Sequence, residues 1–358
     1  MKYSLEIASS QSKYVVTSNF DDAFTSQKKR IIICDRNVHK LALGTFADAE
    51  SWILVTANEQ FKTLDSCSQL LEQLAEKGVN KDYQIIAIGG GALQDAVTLV
   101  ASLYMRGLDW VYVPTTLMSM MDSCIGGKSS INLGRFKNTV GNFYPPKSVF
   151  IDPTYVTTLS AKDISCGISE GAKICYAASQ AAFADFASRI RRWRDTLSEE
   201  DLLEAIFTSL EKKKWFIEID EFDRKERKLL NFGHSFGHAL EAASRFSIPH
   251  GIAVLVGMQA AIIHVNSPEA TLSLEQFIGQ EMVLSAILRQ RFQVSRNVFS
   301  EALGRDKKNT ADALNLILPD QSGRLHVESL PLGKAVIDEC WNSLESAMTQ
   351  LKVSHEVL

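Results

Sequence analysis

Residues 84–104 read QIIAIGGGALQDAVTLVASLY, and this stretch decides the fold. An Ile-rich run with the character of a strand leads directly into Gly89, Gly90 and Gly91, and a helical stretch follows them. A strand, a glycine turn and a helix N-terminus bring backbone N–H groups close to a phosphate, where the helix dipole also favours negative charge. The stretch suits a pyrophosphate. Three glycines without the GxGxxG pattern are also typical of a simple tight turn, so a nucleotide site needs support from the surrounding sequence.

Four further apolar runs flank this stretch and have the length and the Ile and Val content of buried strands. They are RIIICD (30–35), SWILVT (51–56), WVYVPTT (110–116) and SVFIDP (148–153). Segments whose apolar residues have helical spacing lie between these runs, for example 64–77. Strands that alternate with helices indicate a parallel sheet covered on both faces, so roughly the first 150 residues are predicted to be α/β.

Polar residues follow two of these strands. Asp35 and Asn37 come at the end of the first run, and Thr115 and Thr116 follow the strand WVYV. The carboxyl edge of a doubly wound sheet is where its ligands bind, which makes these residues candidates for a cofactor site. Ordinary turn and cap chemistry is the alternative explanation for residues of these types.

The second half of the sequence has a different pattern. From about Leu159 the strand-like runs vanish, and long segments with helical apolar spacing dominate, such as 201–214 and 274–292. Pro153 and the helix-capping residue Ser160 mark the boundary. The sequence therefore predicts an α/β domain over 1–158 and an all-helical domain over 159–358.

Composition excludes several classes of function. At 358 residues, with 46% hydrophobic and 22% charged residues, the chain is long for a single core and is typical of a globular protein. A net charge of -4 gives no general attraction to nucleic acid or anionic membranes. The six cysteines form no CxxC pair, and no apolar segment is long enough for a signal peptide or a membrane span. We expect reduced cysteines and a cytoplasmic protein.

Three histidines cluster in LLNFGHSFGHALEAASRFSIPHG. His234 and His238 are spaced i, i+4 on one helical face, and His250 lies sixteen residues after His234, far enough for a turn to bring it back. A catalytic metal often takes two histidines and one carboxylate. Glu170 is an attractive third ligand, because it and Lys173 interrupt an otherwise apolar helix, but the spacing alone does not choose it. Satisfied core histidines are the alternative.

Cationic residues gather in a glycine-rich segment. Lys128 follows Gly126 and Gly127, and the pair Lys137 and Asn138 comes nine residues later, which is how proteins combine backbone and side-chain donors in an anion pocket. A phosphorylated substrate follows from this pattern. Of the lysines at 212–214, at least two are expected to face solvent. Arg227, seven residues before His234 and predicted on the same helix, is placed to bind a carboxylate or a phosphate.

Taken together, residues 35–308 resemble the 3-dehydroquinate synthases, the founding members of the sugar-phosphate cyclases. The stretches that carry the resemblance are GGGALQD, YMRG, PTTLMSMMDSCIGGK, FKNTVGNFYPP, ISEGAK and RKLLNFGHSFGHALE with its following PHG. The resemblance implies that the first domain binds NAD and that the helical domain binds zinc or cobalt and the substrate. It implies Glu170, His234 and His250 as metal ligands and places His238 on the substrate side.

The resemblance also implies the remaining site residues. It places around the cofactor Asp35, Asn37, Glu59, Lys62, Gly89, Gly90, Gly91, Asp95, Thr115, Thr116, Asp122, Lys128, Lys137 and Thr158. It places around the substrate Arg106, Asp122, Lys128, Lys137, Asn138, Lys173, Lys213, Arg227, Asn231, His238 and a lysine of RDKKN, Lys308 in preference to Lys307. The groups nearest the chemistry would be Lys128, Lys173, Arg227, Asn231 and His238. Arg106 matches a family arginine that reaches into the neighbouring subunit, which implies a homodimer.

The reaction that the resemblance implies is a step of the shikimate pathway of aromatic amino acid biosynthesis. Its mechanism involves no net oxidation or reduction. Bound NAD oxidises a ring hydroxyl of a seven-carbon 2-keto sugar acid phosphate, and the metal polarises two neighbouring oxygens. The new ketone acidifies the adjacent C–H and phosphate leaves. The hydride then returns, the ring opens, and an intramolecular aldol step closes the carbocycle.

Some residues depart from the family pattern, and these departures bear on which substrate the enzyme would use. Ile252 stands where these synthases generally carry Glu, so a partner for the metal ligand His250 is expected to be missing. The loop before Lys137 lacks the His-Pro of the family. Lys213, Arg227 and Asn231 are kept, and relatives that act on uncharged sugars differ at Asn231. The acidic substrate is therefore favoured.

Three alternatives stay open at this point. One is a related cyclase that acts on sedoheptulose 7-phosphate or glucose 6-phosphate. Another is a metal-dependent polyol dehydrogenase, although those enzymes lack the segment with Lys128, Lys137 and Asn138. The last is a decayed homologue with a binding role, which the intact ligand positions disfavour.

Overall fold

A computed structural model of the chain describes residues 2–47, 51–134, 136–266, 272–284, 291–305 and 312–357. The chain divides into two compact units. The first comprises Met1–Leu159 and Trp193–Glu221, and the second comprises Ser160–Arg192 and Phe222–Leu358. No helix among the described residues is long and apolar enough to cross a membrane.

The first unit contains a seven-stranded sheet and a separate hairpin. Its strands are β1 (Ser4–Ala8), β2 (Lys13–Thr17), β3 (Lys29–Asp35), β4 (Ser51–Val55), β5 (Tyr83–Gly89), β6 (Trp110–Pro114), β7 (Ile131–Leu133), β8 (Phe136–Val140) and β9 (Ser148–Phe150). The order in the large sheet is β1-β2-β9-β6-β5-β3-β4. Only β1 and β2 pair antiparallel within it. The helices of this unit are α1 (Phe20–Ala23), α2 (His39–Thr45), α3 (Leu64–Glu76), α4 (Gly91–Leu103) and α7 (Glu199–Ile219).

The central strands of this sheet are buried along almost their whole length. β5 lies between β3 and β6 and all three run parallel, so their carboxyl ends meet at one edge. Apolar residues on both faces of these strands require cover on both sides, which explains why they read as continuous apolar runs. Asp35, Gly89 and Pro114 are the last residues of the three strands. The predicted parallel sheet and its glycine turn are confirmed.

The second unit is mainly helical. Its helices are α5 (Ala161–Ala178), α6 (Gln180–Thr196, whose last residues belong to the first unit), α8 (His234–Ala243), α9 (His250–His264), α10 (Leu272–Leu284), α11 (Arg296–Gly304) and α12 (Lys334–Gln350). Its described residues also form four strands, β10 (Phe292–Val294), β11 (Ala313–Pro319), β12 (Leu325–Pro331) and β13 (His355–Val357). They form two two-stranded sheets, β10 with β13 and β11 with β12.

Helix α9 is the centre of the second unit. Its residues from Gly251 to Ile262 are all buried, because α8, α5, α10 and α12 pack around it. Glycines let α8 and α9 approach closely: a Cβ on Gly257 would lie 2.1 Å from the carbonyl oxygen of Gly233. The contacts of Gly257 with Gly233 and of Gly237 with Ala253 show that the two helices run antiparallel, so the first residue of α9 lies beside the last turn of α8.

The predicted fold class, α/β followed by helical, is confirmed, with three corrections of detail. The described part of the second unit carries four strands, β10 to β13, that the sequence did not indicate. The helix expected over 274–292 is wrong at its end, because Phe292 begins β10. Arg227 does not share the histidine helix: it lies in a 3-10 turn, Glu226–Asn231, and Gly233 in the left-handed region (φ 76°) separates that turn from α8.

Candidate active site

The three clustered histidines lie where α8 meets the start of α9. His234 and His238 are one turn apart on α8, and His250 is the first residue of α9. Each offers one ring nitrogen, and these nitrogens lie within 4.8 Å of one another. His234 is buried, His250 is half-buried and His238 is exposed, so the cluster opens on the side of His238.

Glu170 approaches the same point from α5. Its side chain is buried, its Oε2 accepts a hydrogen bond from Lys173, and its Oε1 lies 3.4 Å from Nε2 of His250 and 3.9 Å from Nε2 of His234. Burial by itself would raise the pKa of Glu170, but the charges of Lys173 and His250 outweigh it and hold that pKa well below its usual range. Glu170 therefore stays ionised in the interior of the helical unit.

The Nδ1 atoms of His234 and His250 have partners of different kinds. Nδ1 of His234 lies 3.3 Å from the carbonyl oxygen of Phe232, and Nδ1 of His250 lies 3.1 Å from Oε2 of Glu241. A proton on each Nδ1 leaves the lone pair on Nε2, the atom that points toward Glu170. Burial lowers the pKa of His250, but Glu170 and Glu241 more than compensate and raise it to about 10. The two carboxylates thus favour a positive charge at this ring, which a second proton on Nε2 supplies in the metal-free protein and a bound cation supplies when it displaces that proton.

Glu170, His234 and His250 fit a divalent cation. Oε1 of Glu170 is buried and accepts no hydrogen bond from any residue that the structure describes, although it faces two imidazoles. Buried carboxylate oxygens are normally satisfied, and a cation ligated by this oxygen and the two Nε2 atoms would satisfy this one. Two histidines and a carboxylate leave further coordination positions open. The exposed ring of His238 stacks on His250 with centroids 5.6 Å apart, beside those positions.

Other predicted substrate residues of this unit occupy the 3-10 turn before α8. Arg227 is buried there, and Asn231 donates a hydrogen bond from its side chain to the carbonyl oxygen of Lys228. Lys307 and Lys308 lie outside the described residues.

In the first unit, Lys62 brings together several predicted cofactor residues. Its buried ammonium lies 3.0 Å from Asp95 and 3.8 Å from Glu59, and it donates a hydrogen bond of 2.9 Å to the side chain of Asn138. Burial raises the pKa of Asp95 to about 6, against the opposing charge of Lys62. Asn132 completes the network, because its amide donates to Glu59 and its oxygen accepts from the N–H of Asn138.

The glycine turn lies at the carboxyl edge of the sheet, as predicted. Gly90 caps α4 without a side chain of its own, and a Cβ there would lie 2.9 Å from the methyl group of Thr116. The Thr115 N–H donates to the carbonyl oxygen of Gly89, which ties the turn to the neighbouring strand. Asp35, at the end of β3, is buried and accepts a hydrogen bond from the N–H of Asn37.

The remaining predicted residues of the first unit are more dispersed. Asp122 forms a 2.6 Å ion pair with the buried Lys213 of α7, and Lys128 lies over the ring of Phe143. Lys137 is exposed in β8, Arg106 is exposed in a left-handed conformation (φ 62°), and the hydroxyl of Thr158 donates to the carbonyl oxygen of Tyr155. Lys213 is buried, whereas Lys212 and Lys214 are partly exposed, which agrees with the expectation that at least two of these three lysines face solvent.

Sequence reasoning missed two residues of these clusters. Glu241 follows His234 by seven positions and His238 by three on α8, so extending the helical spacing of the histidines would have found it. Asn132 lies in a hairpin whose pairing the sequence did not indicate. The expectation that His250 lacks a partner because of Ile252 is wrong: Ile252 is buried in α9, and Glu241 is the partner.

Comparison with known families covers both halves of the chain. Residues 52–166 match the N-terminal domain of 3-dehydroquinate synthase, and residues 167–309 match its C-terminal domain. The chain belongs to the 3-dehydroquinate synthase family. The 3-dehydroquinate synthase of Thermoanaerobacter sp. (strain X514) is 33% identical over 319 residues, which cover 84% of this chain and 87% of that protein.

Solved structures of cyclases share this fold. A 2-deoxy-scyllo-inosose synthase with carbaglucose-6-phosphate, NAD+ and Co2+ superposes with a TM-score of 0.78 at 22% identity, over 94% of this chain and 98% of that one. A 2-epi-5-epi-valiolone synthase from Streptomyces hygroscopicus with NAD+ and Zn2+ superposes with a TM-score of 0.75 at 23% identity, over 90% and 91%. At these identities the likeness concerns the fold of the 3-dehydroquinate synthase family and not its substrates.

Proposed function

We propose that this chain is a 3-dehydroquinate synthase, a carbon–oxygen lyase that converts the phosphorylated seven-carbon 2-keto sugar acid to 3-dehydroquinate and releases phosphate. The observation that carries the proposal is the buried Glu170 carboxylate that faces His234 and His250, in a chain that matches this family over both halves. Curated relatives that bear this name include proteins that are 31–37% identical to it. The activity places the protein in the shikimate pathway.

We assign the metal to Glu170, His234 and His250, with zinc or cobalt as the ion. When bound, such an ion acts as a Lewis acid that polarises substrate oxygens. Lys173 holds Oε2 of Glu170 by a charged hydrogen bond, which directs Oε1 toward the two imidazoles. His238 is exposed beside the ligands and is suited to contact the substrate.

We assign NAD to the carboxyl edge of the sheet. When bound, the cofactor takes up and returns a hydride. The turn from Gly89 to Gly91 has no side chain that blocks the N-terminus of α4, so its N–H groups can meet a pyrophosphate. The proposed contacts are those assigned by the resemblance: Asp35, Asn37, Glu59, Lys62, Asp95, Thr115, Thr116, Asp122, Lys128, Lys137 and Thr158.

Charge supports a substrate that carries a phosphate and a carboxylate. In the first unit the proposed substrate residues are Arg106, Asp122, Lys128, Lys137, Asn138 and Lys213. In the second they are Lys173, Arg227, Asn231, His238 and Lys308. Cationic side chains dominate both sets, and the buried guanidinium of Arg227 is suited to bidentate binding of an oxyanion.

The organisation of the protein is also part of the proposal. We propose a homodimer, with Arg106 contributing to the site of the neighbouring subunit, and a cytoplasmic location. The exposure of Arg106 supports the proposed contact with the neighbouring subunit. The functional division into a cofactor domain over 1–158 and a metal and substrate domain over 159–358 stays a prediction.

The test is phosphate release by the purified chain with NAD and zinc or cobalt. We expect release from the seven-carbon 2-keto sugar acid phosphate, with formation of a carbocycle and no net NADH. Glu170→Gln should lower the rate at least about 100-fold through loss of a metal ligand, whereas Glu200→Gln, exposed on α7, should not change it.

Other outcomes would replace the proposal. Release only from sedoheptulose 7-phosphate or glucose 6-phosphate would make the chain a different cyclase. Accumulation of NADH with a simple polyol, without phosphate release, would make it a dehydrogenase.

A further inference from the structure

Helix α8 carries three polar residues on one face. His234, His238 and Glu241 are spaced i, i+4 and i+7, so their side chains project from successive turns on the same side. The first two are the histidines of the candidate metal site. Glu241, at the end of this row, has a side chain that is only 15% exposed and reaches the imidazole of His250.

We propose that Glu241 is a positioning residue that orients His250 for metal binding, an inference that rests on the proposed metal site. Oε2 of Glu241 lies 3.1 Å from Nδ1 of His250, while Nε2 on the opposite side of the ring lies 3.4 Å from Glu170. The imidazole is thus fixed at both nitrogens. When a cation is bound, Nδ1 carries the one proton of the ring and donates it to Glu241, and Nε2 presents its lone pair to the cation.

The two histidine ligands are oriented by different acceptors. His234 faces the backbone carbonyl oxygen of Phe232, a neutral acceptor, whereas His250 faces a carboxylate. A carboxylate partner makes an imidazole a stronger ligand than a carbonyl partner does, because negative charge is transferred toward the ring. Glu241 therefore strengthens His250 as a ligand in addition to orienting it.

The position of Glu241 in the chain explains why it can act on His250. The residues between α8 and α9 turn sharply, with Arg245 (φ 53°) and Phe246 (φ 59°) in the left-handed region, and they return the chain over the end of α8. His250 then begins α9 directly above Glu241. Ile252, two residues on, is 1% exposed and points into the core, so it offers His250 no acceptor.

The experiment measures metal affinity. The full chain is stripped of metal, and Zn2+ and Co2+ dissociation constants are determined by competition with a chromophoric chelator for the wild type, Glu241→Ala, Glu241→Gln and a control. We expect Glu241→Ala to bind about 10- to 100-fold more weakly. Glu241→Gln should lose less, because its amide oxygen still accepts from Nδ1. The control Glu301→Gln, at a side chain 68% exposed on α11, should bind as the wild type does.

Two further readouts separate positioning from a merely structural role. The visible absorption of the Co2+ protein should change in Glu241→Ala, because the geometry of a ligand changes. The metal-free variants should melt close to the metal-free wild type, and the increase in melting temperature on adding metal should be smaller. If Glu241→Ala does not fold, Glu241→Gln carries the same measurements.

The results distinguish this inference from the proposed function. Equal affinities and equal Co2+ spectra for the wild type and both Glu241 variants would overturn the role of Glu241 and leave the metal site intact. A wild type that binds neither ion, or that binds them unchanged after Glu170→Gln, would overturn the metal site itself and the inference with it.

Discussion

Glu170 and Asp95 are both acidic residues beside a lysine, yet their surroundings act on them in opposite directions. For Glu170, Lys173 and His250 outweigh burial and lower the pKa. For Asp95, burial outweighs Lys62 and raises the pKa to about 6. The difference follows from the number of cationic neighbours that face each carboxylate.

The raised pKa of Asp95 predicts a pH dependence of stability. Its folded-state pKa of about 6 lies above the ordinary value of 3.8, so the folded chain binds this proton more strongly than the unfolded chain. The stabilisation of the folded state by this proton is fully present below pH 3.8 and is lost as the pH rises through 6. The unfolding free energy of the wild type minus that of Asp95→Asn should therefore fall by about 2 kcal/mol between about pH 4.5 and 7.5.

Urea unfolding of both proteins across this range measures the difference. In a Lys62→Met background the fall should extend to higher pH, because the Lys62 ammonium no longer lowers the pKa of Asp95. A difference that instead grows with pH would show that the ion pair with Lys62 outweighs burial.

Single residues also show how far the sequence could specify the candidate site. Glu170 stood out because a charge inside an apolar helix needs a partner, and it is buried with Lys173. Glu241 did not stand out, because a glutamate among alanines on a short helix resembles a solvent-facing residue. Its contact depends on the turn that returns His250 to α8, and residue spacing does not determine the path of a turn.

At the scale of elements, the buried central strands of the large sheet were predictable and the strands of the second unit were not. β3, β5 and β6 are continuous apolar runs because both of their faces are covered. β7 and β10 have three residues each, too few for a periodic pattern to show. The packing of α8 on α9 could not be predicted either, because it depends on glycines whose contacts are known only once the positions of both helices are known.

That packing gives a prediction for Gly257. A Cβ there would lie 2.1 Å from the carbonyl oxygen of Gly233, so Gly257→Ala forces the two helices apart and should destabilise the protein by about 3 kcal/mol. Metal affinity should fall as well, because His234 and His250 lie on these two helices.

The control is Gly279→Ala in α10, where a Cβ would meet nothing within 4 Å and alanine should add up to about 1 kcal/mol of stability. Calorimetry and metal titration of both variants measure these effects, and a Gly257→Ala protein as stable as the control would contradict the close packing.

At the scale of the whole molecule, helix α7 shows the limit of reading domains from pattern. Its sequence has ordinary helical spacing and lies beyond the boundary predicted at 158, yet α7 packs within the first unit. Ser209 donates to the carbonyl oxygen of Met121, Lys213 pairs with Asp122, and Phe207 stacks on Tyr3 at 5.2 Å. Periodicity identifies the buried face of a helix but not the partner against which it is buried.

The assignment of α7 to the first unit makes a prediction for hydrogen exchange. Zinc added to the metal-free chain should slow amide exchange in peptides from α5, α8 and α9, and NAD should slow it in peptides from the sheet and from α7. Saturation at about 100 times the dissociation constant stabilises a binding unit by about 2.7 kcal/mol, which is a roughly 100-fold slowing where exchange requires that unit to open. Mass spectrometry of the exchanged peptides measures both patterns. If α7 instead slows with zinc and not with NAD, it belongs energetically to the helical unit and the division near residue 158 is the correct one; if each ligand slows every peptide, the two units open together.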